Sequence, residues 1–207
     1  MVSSDRNLKR LVYLISPNII YSNFYKDLEK VLSSKKVSFF QLRLKKIPEI
    51  SVLKIIRKIK QITKKNKVKF IINDDSKLAK KVRADGCHIG QLDNTVESVR
   101  KDIKKKIIGV TCHNSKKLAL KAFKNQADYL AFGSFFKSKL KPNAKRADLK
   151  ILFWAKKNIK KPIVAIGGVT DKNYEKLIKA GANYIAISSF IWNNPFLKPE
   201  VAVRKFK

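Results

Sequence analysis

The segment VSFFQLRLK, residues 37–45, ends in side chains that could bind an anion. Strand alternation puts every second residue on one face, and this face changes from apolar to polar and cationic towards the strand end. Its members are Val37, Phe39, Gln41, Arg43 and Lys45. Arg43 and Lys45 could simply enter solvent, but the Gln41 amide beside them favours a phosphate or carboxylate site, where arginine supplies a planar fork and lysine a point charge.

Carboxylates close two neighbouring apolar segments. FIINDD ends in Asn73, Asp74 and Asp75, and GCHIGQLD ends in Asp93. Asp75 is best interpreted as a helix cap. Asp74 and Asp93 could instead converge on one Mg²⁺, which takes few protein carboxylates and completes its octahedron with water and substrate phosphates. We therefore predict a magnesium site facing the cationic strand end.

Two Cys-His pairs, Cys87–His88 and Cys112–His113, suggest a zinc site at first sight. Adjacent strand residues point to opposite faces, and the spacing matches no common zinc finger. Cys87 is better interpreted as a small buried residue. His113, just past a strand end, has either a structural role or an acid-base role. Without a CxxC spacing, a reduced, cytoplasmic protein is expected.

Three later segments supply groups that suit phosphate. Hydroxyls and lysines donate hydrogen bonds, and glycines let backbone amides approach an anion closely. The groups are Ser138 and Lys141 in AFGSFFKSKLK, Gly167 and Gly168 in AIGGV, and Ser188 and Ser189 after a further apolar run. Each signal is weak alone, but together they indicate phosphate binding if one rim of the fold collects them.

Short β-branched or aromatic runs alternate with amphipathic, lysine-rich stretches, which is the pattern of a parallel sheet with crossover helices. Predicted strands cover 11–15, 37–42, 68–72, 86–89, 107–111, 129–132, 163–166 and 184–187. Predicted helices cover 23–32, 50–64, 76–82, 95–103, 115–124, 148–157, 171–179 and a segment after Pro195. Asp171 and Ser115 are candidate caps, and Gly181 a candidate helix stop. Eight units of about 26 residues favour one (β/α)₈ TIM barrel over residues 1–207, with a doubly wound open sheet as the alternative.

The composition excludes a disordered chain but raises the question of a polyanion partner. Hydrophobic residues make up 44%, enough for a core, while 48 Lys and Arg against 15 Asp and Glu give a net charge of +33. Of the 48 basic residues 40 are Lys, spread along the chain, which favours a solvated surface over a specific nucleic-acid groove. The apolar run LVYLI near the start is too short for a signal peptide or a membrane span.

Six motifs read together resemble thiamine phosphate synthase over residues 10–191. They are QLRLK, FIINDD, DGCHIGQLD, IIGVT, ADYLAFGSFF followed by KLK, and PIVAIGGVTDKNYEKLIKAGANYIAISS. The resemblance implies a transferase that joins 4-amino-2-methyl-5-hydroxymethylpyrimidine pyrophosphate to 4-methyl-5-(2-phosphoethyl)thiazole, releasing pyrophosphate with Mg²⁺. It also implies a dissociative reaction without a general base.

The resemblance assigns roles residue by residue. The matches to pyrophosphate contacts are Gln41, Arg43, Lys45, Asn73, Thr111 and Lys141, among which Arg43, Lys45 and Lys141 would stabilise the departing group. The matches to magnesium ligands are Asp74 and Asp93. The matches to the thiazole phosphate site are Ser138, Gly167, Gly168, Ser188 and Ser189. Leu140 replaces a hydroxyl residue common in the family, and FFKS lacks a proline often present there, so thiazole affinity and loop shape are expected to differ.

The residues leave two other functions as alternatives. A thiazole tautomerase-like isomerase of the same superfamily would use His113 as acid or base and would need no pyrophosphate site, so Arg43, Lys45, Asp74 and Asp93 speak against it. A noncatalytic nucleic-acid binder would rest on net charge alone, and its affinity would fall steeply with salt. Small-molecule substrates are the expected partners, and the sequence leaves homo-oligomerisation open.

Overall fold

Eight parallel strands form a closed barrel in the computed structural model, which describes residues 10–44, 49–92, 94–137 and 145–207. Each strand pairs with the next in the chain, and β1 pairs with β8 through Val12–Ile185, Tyr13–Ala186 and Leu14–Ile187. This last pairing confirms the (β/α)₈ prediction and excludes the open sheet.

The strands are β1 (Val12–Ile15), β2 (Val37–Leu42), β3 (Lys69–Asn73), β4 (Gly86–Ile89), β5 (Ile107–His113), β6 (Tyr129–Gly133), β7 (Ile163–Ile166) and β8 (Tyr184–Ile187). Seven agree with the predicted bounds to within one residue. The exception is β5, which continues past Thr111 to His113 because a bulge at Cys112 lets both residues pair with β6.

The helices are α1 (Phe24–Ser33), α2 (Glu49–Lys65), α3 (Ser76–Lys81), α4 (Val96–Ile103), α5 (Lys116–Lys124), α6 (Lys150–Asn158), α7 (Tyr174–Ala180), α8 (Ser189–Trp192) and α9 (Pro199–Arg204). The sequence interpretation missed α8. Among the described residues, no helix has the length and apolar character to cross a bilayer.

Side-chain caps fix several helix starts. Asp75 and Ser115 cap α3 and α5 as predicted, since each side chain accepts a backbone N–H three residues on. Gly181, with φ of +120°, ends α7 as predicted. Asp171 was the wrong residue for the α7 cap: the N-cap is Asn173, whose amide accepts from the Thr170 N–H and so delays the helix start.

Apolar side chains pack in two layers. The larger layer joins the strands to the surrounding helices, and the smaller one, centred on Tyr13 and Tyr129, fills the barrel. Phe39 packs in the barrel but Val37 packs in the larger layer, so the two do not share a face. The reason is a bulge in β2, where Ser38 is inserted between the residues that pair with Val12 and Tyr13 and resets the alternation.

Gly109 of β5 makes room for the Tyr129 ring inside the barrel. A methyl group at Gly109 would lie 1.8 Å from the Tyr129 Cζ. We therefore expect Gly109→Ala to lower the free energy of unfolding by about 1–3 kcal/mol through overpacking, measured by chemical denaturation. Combining it with Tyr129→Leu, which shortens the clashing ring, should give less destabilisation than the sum of the two single changes. Additive losses would show that the ring is not what Gly109 accommodates.

Candidate active site

The closed parallel barrel brings the carboxyl ends of all strands to one rim. Arg43 directly follows β2, and Asn73 and Asp74 stand at the end of β3. Leu42 of β2 pairs with Ile72 of β3, so Arg43 and Asn73 leave two adjacent strands at the same level. The rim therefore collects a guanidinium and a carboxylate on neighbouring strand ends.

Asp74 and Asp75 have different surroundings although they are adjacent. The Asp75 carboxylate accepts the Leu78 N–H at 2.8 Å and caps α3. Asp74 has φ of +63°, its backbone N–H donates to the His88 carbonyl at 2.7 Å, and its exposed carboxylate accepts from the Asn73 amide. Asp74 thus presents carboxylate oxygens, the ligand type that Mg²⁺ prefers, at the rim.

A buried serine holds the Arg43 backbone in place. The Ser16 hydroxyl accepts the Arg43 N–H at 3.0 Å and donates to the Arg43 carbonyl at 3.4 Å. Ser188 in turn donates to the Ser16 carbonyl at 3.1 Å. Ser16 therefore links the ends of β1, β2 and β8, and the Ser188 hydroxyl proton points to the backbone rather than into the mouth of the barrel.

The glycine pair that follows β7 packs against the loop that follows β6. Gly167 and Gly168 have φ of +107° and +61°. Methyl groups there would lie 2.0 Å from the Ser134 Oγ and 2.3 Å from the Lys137 carbonyl oxygen. The glycines therefore have a packing role, because they let the two segments approach closely. Four predicted site residues, Lys45, Asp93, Ser138 and Lys141, lie outside the described residues.

Five polar side chains inside the barrel form a continuous hydrogen-bonded chain. The Gln41 Nε2 donates to the Tyr13 hydroxyl at 3.2 Å, and the Tyr13 and Tyr129 hydroxyls are 2.7 Å apart. His88 connects Tyr129 to Thr111, with 2.8 Å from its Nδ1 to the Tyr129 hydroxyl and 2.8 Å from its Nε2 to the Thr111 Oγ1. Burial raises the pKa of both tyrosines, so their hydroxyls stay protonated.

The sequence interpretation did not assign Ser16, Tyr13, Tyr129 or His88 to the site. For Tyr13, His88 and Tyr129 the signal was a polar group within an otherwise apolar strand, and for Ser16 it was a hydroxyl residue directly after β1.

The cysteines and His113 are not members of this hydrogen-bonded chain of side chains. Cys87 is fully buried in the larger apolar layer, whereas the His88 ring meets Tyr129, so the two side chains of this pair face opposite sides of β4. Burial raises the pKa of Cys112 to about 12. His113 is exposed. Among the described residues no group of three or more His, Cys, Asp or Glu is arranged to hold a metal ion.

The Ser16 contacts generate a prediction about stability. Ser16→Ala leaves the partly buried Arg43 N–H without its acceptor, so we expect the free energy of unfolding to fall by about 1–3 kcal/mol. The control is Ser33→Ala on the exposed end of α1, which should change it by less than about 0.5 kcal/mol. Chemical denaturation measures both, and equal effects would contradict a special role for Ser16.

Comparison with known proteins identifies the relatives of this protein. Residues 12–191 match the family model of thiamine monophosphate synthase. The thiamine-phosphate synthase of Pelagibacter ubique is 58% identical over 200 residues, 96% of this chain and 97% of that protein. That of Erythrobacter litoralis is 38% identical over 195 residues, 92% of each chain.

Solved structures support the same relationship. Thiamine phosphate pyrophosphorylase from Pyrococcus furiosus superposes with a TM-score of 0.84 at 26% identity, covering 97% of this chain and 95% of that one. A 3-hexulose-6-phosphate synthase, at 17% identity and a TM-score of 0.66, covers 94% of this chain and 97% of that one and shares the fold. The match across nearly the whole chain, together with the relatives above, shows that the protein belongs to the thiamine monophosphate synthase family and is an enzyme of the transferase kind.

Proposed function

We propose that this protein joins 4-amino-2-methyl-5-hydroxymethylpyrimidine pyrophosphate to 4-methyl-5-(2-phosphoethyl)thiazole and releases thiamine phosphate and pyrophosphate. The observation that carries the proposal is the placement of Arg43 and Asp74 on adjacent strand ends of one rim, in a chain of this family. One pyrophosphate could contact both groups, the first directly and the second through a cation.

Arg43 is the described residue best suited to the departing pyrophosphate. Its guanidinium is always charged and can donate two parallel hydrogen bonds to phosphate oxygens. Ser16 fixes the backbone from which it extends. In the proposed site Asn73 and Thr111 add hydrogen bonds from β3 and β5, the second amide proton of Gln41 is directed to the same anion, and Lys45 and Lys141 add charge.

The residues present fit a magnesium ion. Asp74 offers an exposed carboxylate, and the pyrophosphate itself would supply further oxygens, so a site with few protein carboxylates suffices. Asp93 is proposed as the second acidic ligand. When bound, the ion would offset negative charge on the leaving pyrophosphate.

Bond formation needs no general base. The bond between the pyrimidine methylene carbon and the pyrophosphate oxygen breaks, and its electron pair leaves with the pyrophosphate. The pyrimidine ring carries the resulting positive charge until the thiazole nitrogen donates its lone pair to the same carbon. The protein contributes positioning and electrostatic stabilisation of the leaving group.

The second substrate is proposed to place its phosphate between the ends of β7 and β8. Gly167 and Gly168 follow β7 at one side, and Ser189 begins α8 at the other. Ser188 would have to turn its hydroxyl proton away from the Ser16 carbonyl to donate to a phosphate. Ser138 is proposed to contribute from the loop after β6.

The main prediction is catalytic activity that depends on Mg²⁺. Purified protein mixed with both substrates and Mg²⁺ should form thiamine phosphate and pyrophosphate in equal amounts, measured by chromatography. Excess EDTA should abolish product, and added Mg²⁺ should restore it. No product, or the same product with EDTA, would overturn the proposal, and metal-independent isomerisation of a thiazole carboxylate phosphate would favour the isomerase instead.

The adjacent acids provide a matched test of the metal ligand. Asp74→Asn keeps a residue that tolerates positive φ but removes the charge, so we expect the rate to fall about 10²-fold or more. Asp75→Asn also removes one charge but retains a good helix cap, so it should keep most of its rate. Steady-state kinetics at saturating Mg²⁺ would measure both. Equal rates for the two variants would place the metal elsewhere.

A further inference from the structure

The interior chain of hydrogen bonds has a direction that the contacts determine. A hydroxyl has a single proton, so a hydroxyl that accepts at one link must donate at another to satisfy a buried group. Gln41, Tyr13 and Tyr129 are each no more than 3% exposed. Their protons are therefore placed by protein partners rather than by bulk water.

The first two links follow from the Gln41 amide. Its Nε2 can only donate, and it donates to the Tyr13 oxygen. The Tyr13 proton then needs an acceptor, and within the described part of the chain the hydroxyl oxygen of Tyr129, 2.7 Å away, is the one in hydrogen-bond reach. Tyr13 thus donates to Tyr129. The opposite arrangement would leave the Tyr13 proton without an acceptor in the barrel interior.

The direction continues through His88 to the rim. The Tyr129 proton is donated to the His88 Nδ1, which must be unprotonated to accept it. A neutral imidazole then carries its proton on Nε2 and donates it to the Thr111 Oγ1. Because the Thr111 oxygen accepts from His88, the Thr111 proton is left for a different acceptor.

We infer that Gln41 is a positioning residue: its amide fixes the direction of the interior chain, holds His88 in the Nε2–H tautomer, and makes Thr111 a hydrogen-bond donor towards an anion at the rim. The identity of that anion as pyrophosphate rests on the proposed function. The direction of the hydrogen-bonded chain and the tautomer of His88 do not depend on the proposed function.

The inference explains why an amide rather than an acid or an apolar residue suits this position. A glutamate carboxylate can only accept, so it would draw the Tyr13 proton towards itself and reverse every link. His88 would then carry its proton on Nδ1, and Thr111 would donate to Nε2 instead of to a ligand. Leucine would leave the direction undetermined.

The experiment is ¹⁵N NMR of protein labelled at its histidines. The chain has two histidines, so His113→Gln leaves the His88 signals alone in the spectrum. In the otherwise unchanged protein we expect the shift of an unprotonated Nδ1 and a protonated Nε2. The Nδ1–H tautomer would overturn the inference from this measurement alone, so the test does not depend on any buried variant folding.

Variants then test whether Gln41 determines the tautomer of His88. Gln41→Glu in alkaline buffer should exchange the two nitrogen shifts, whereas Thr111→Val, which removes the other end of the chain, should leave the Nε2–H tautomer in place. On a Tyr13→Phe background, which breaks the chain, Gln41→Glu should no longer change the tautomer. An unchanged tautomer in folded Gln41→Glu, or a change that survives Tyr13→Phe, would show that the chain does not carry the effect.

Activity provides a separate readout. If Thr111 donates to the pyrophosphate, the reversed chain in Gln41→Glu should lower kcat for thiamine phosphate formation about 10²-fold, as for loss of one anion donor. A protein with the Nε2–H tautomer that forms no thiamine phosphate would support the direction of the hydrogen-bonded chain and overturn the proposed function. An active protein with the Nδ1–H tautomer would support the proposed function and overturn the direction of the hydrogen-bonded chain.

Discussion

The pairing of β1 with β8 is the interaction on which the rest of the structure depends. It closes the sheet, so that every strand end faces the same rim and inward side chains from distant parts of the sequence meet. Tyr13 and Tyr129 are 116 positions apart, and Ser188 reaches Ser16 over 172 positions. An open sheet of the same strands would separate these pairs. The interior hydrogen-bonded chain and the contact of Ser188 with Ser16 follow from closure.

Local signals in the sequence sufficed for most of the architecture. Strands and helices differ strongly here in hydrophobic periodicity, and caps such as Asp75 and Ser115 act on backbone groups three residues away. The errors occurred at backbone irregularities, which a distant strand sets in one case and a local turn in the other. The bulge that resets alternation after Val37 depends on pairing with β1, and the start of α7 at Tyr174 depends on the turn that Asn173 makes with Thr170 and Gly168.

The candidate site was predictable to the level of strand ends and no further. That Arg43 and Asp74 share a rim follows from parallel strands alone. By contrast, the contacts of Ser16 require the three-dimensional placement of three strands, and the route from Gln41 to His88 requires that of four. The glycine pair shows the same limit. Its approach to a phosphate could be inferred from sequence, but its contact with Ser134 and Lys137 could not.

The aromatic rings inside the barrel affect how substrates enter and how products leave. Phe39 stacks on Tyr13 at 5.3 Å and meets Tyr184 edge-on at 5.1 Å, so the amino-terminal half of the barrel is filled. Within the part of the protein that the structure describes, these rings occupy the end of the barrel opposite the rim. In the proposed reaction both substrates and both products would therefore enter and leave through the rim. A pyrophosphate that dissociates slowly would block binding of the next pyrimidine substrate. Product inhibition would then follow from the shape of the barrel.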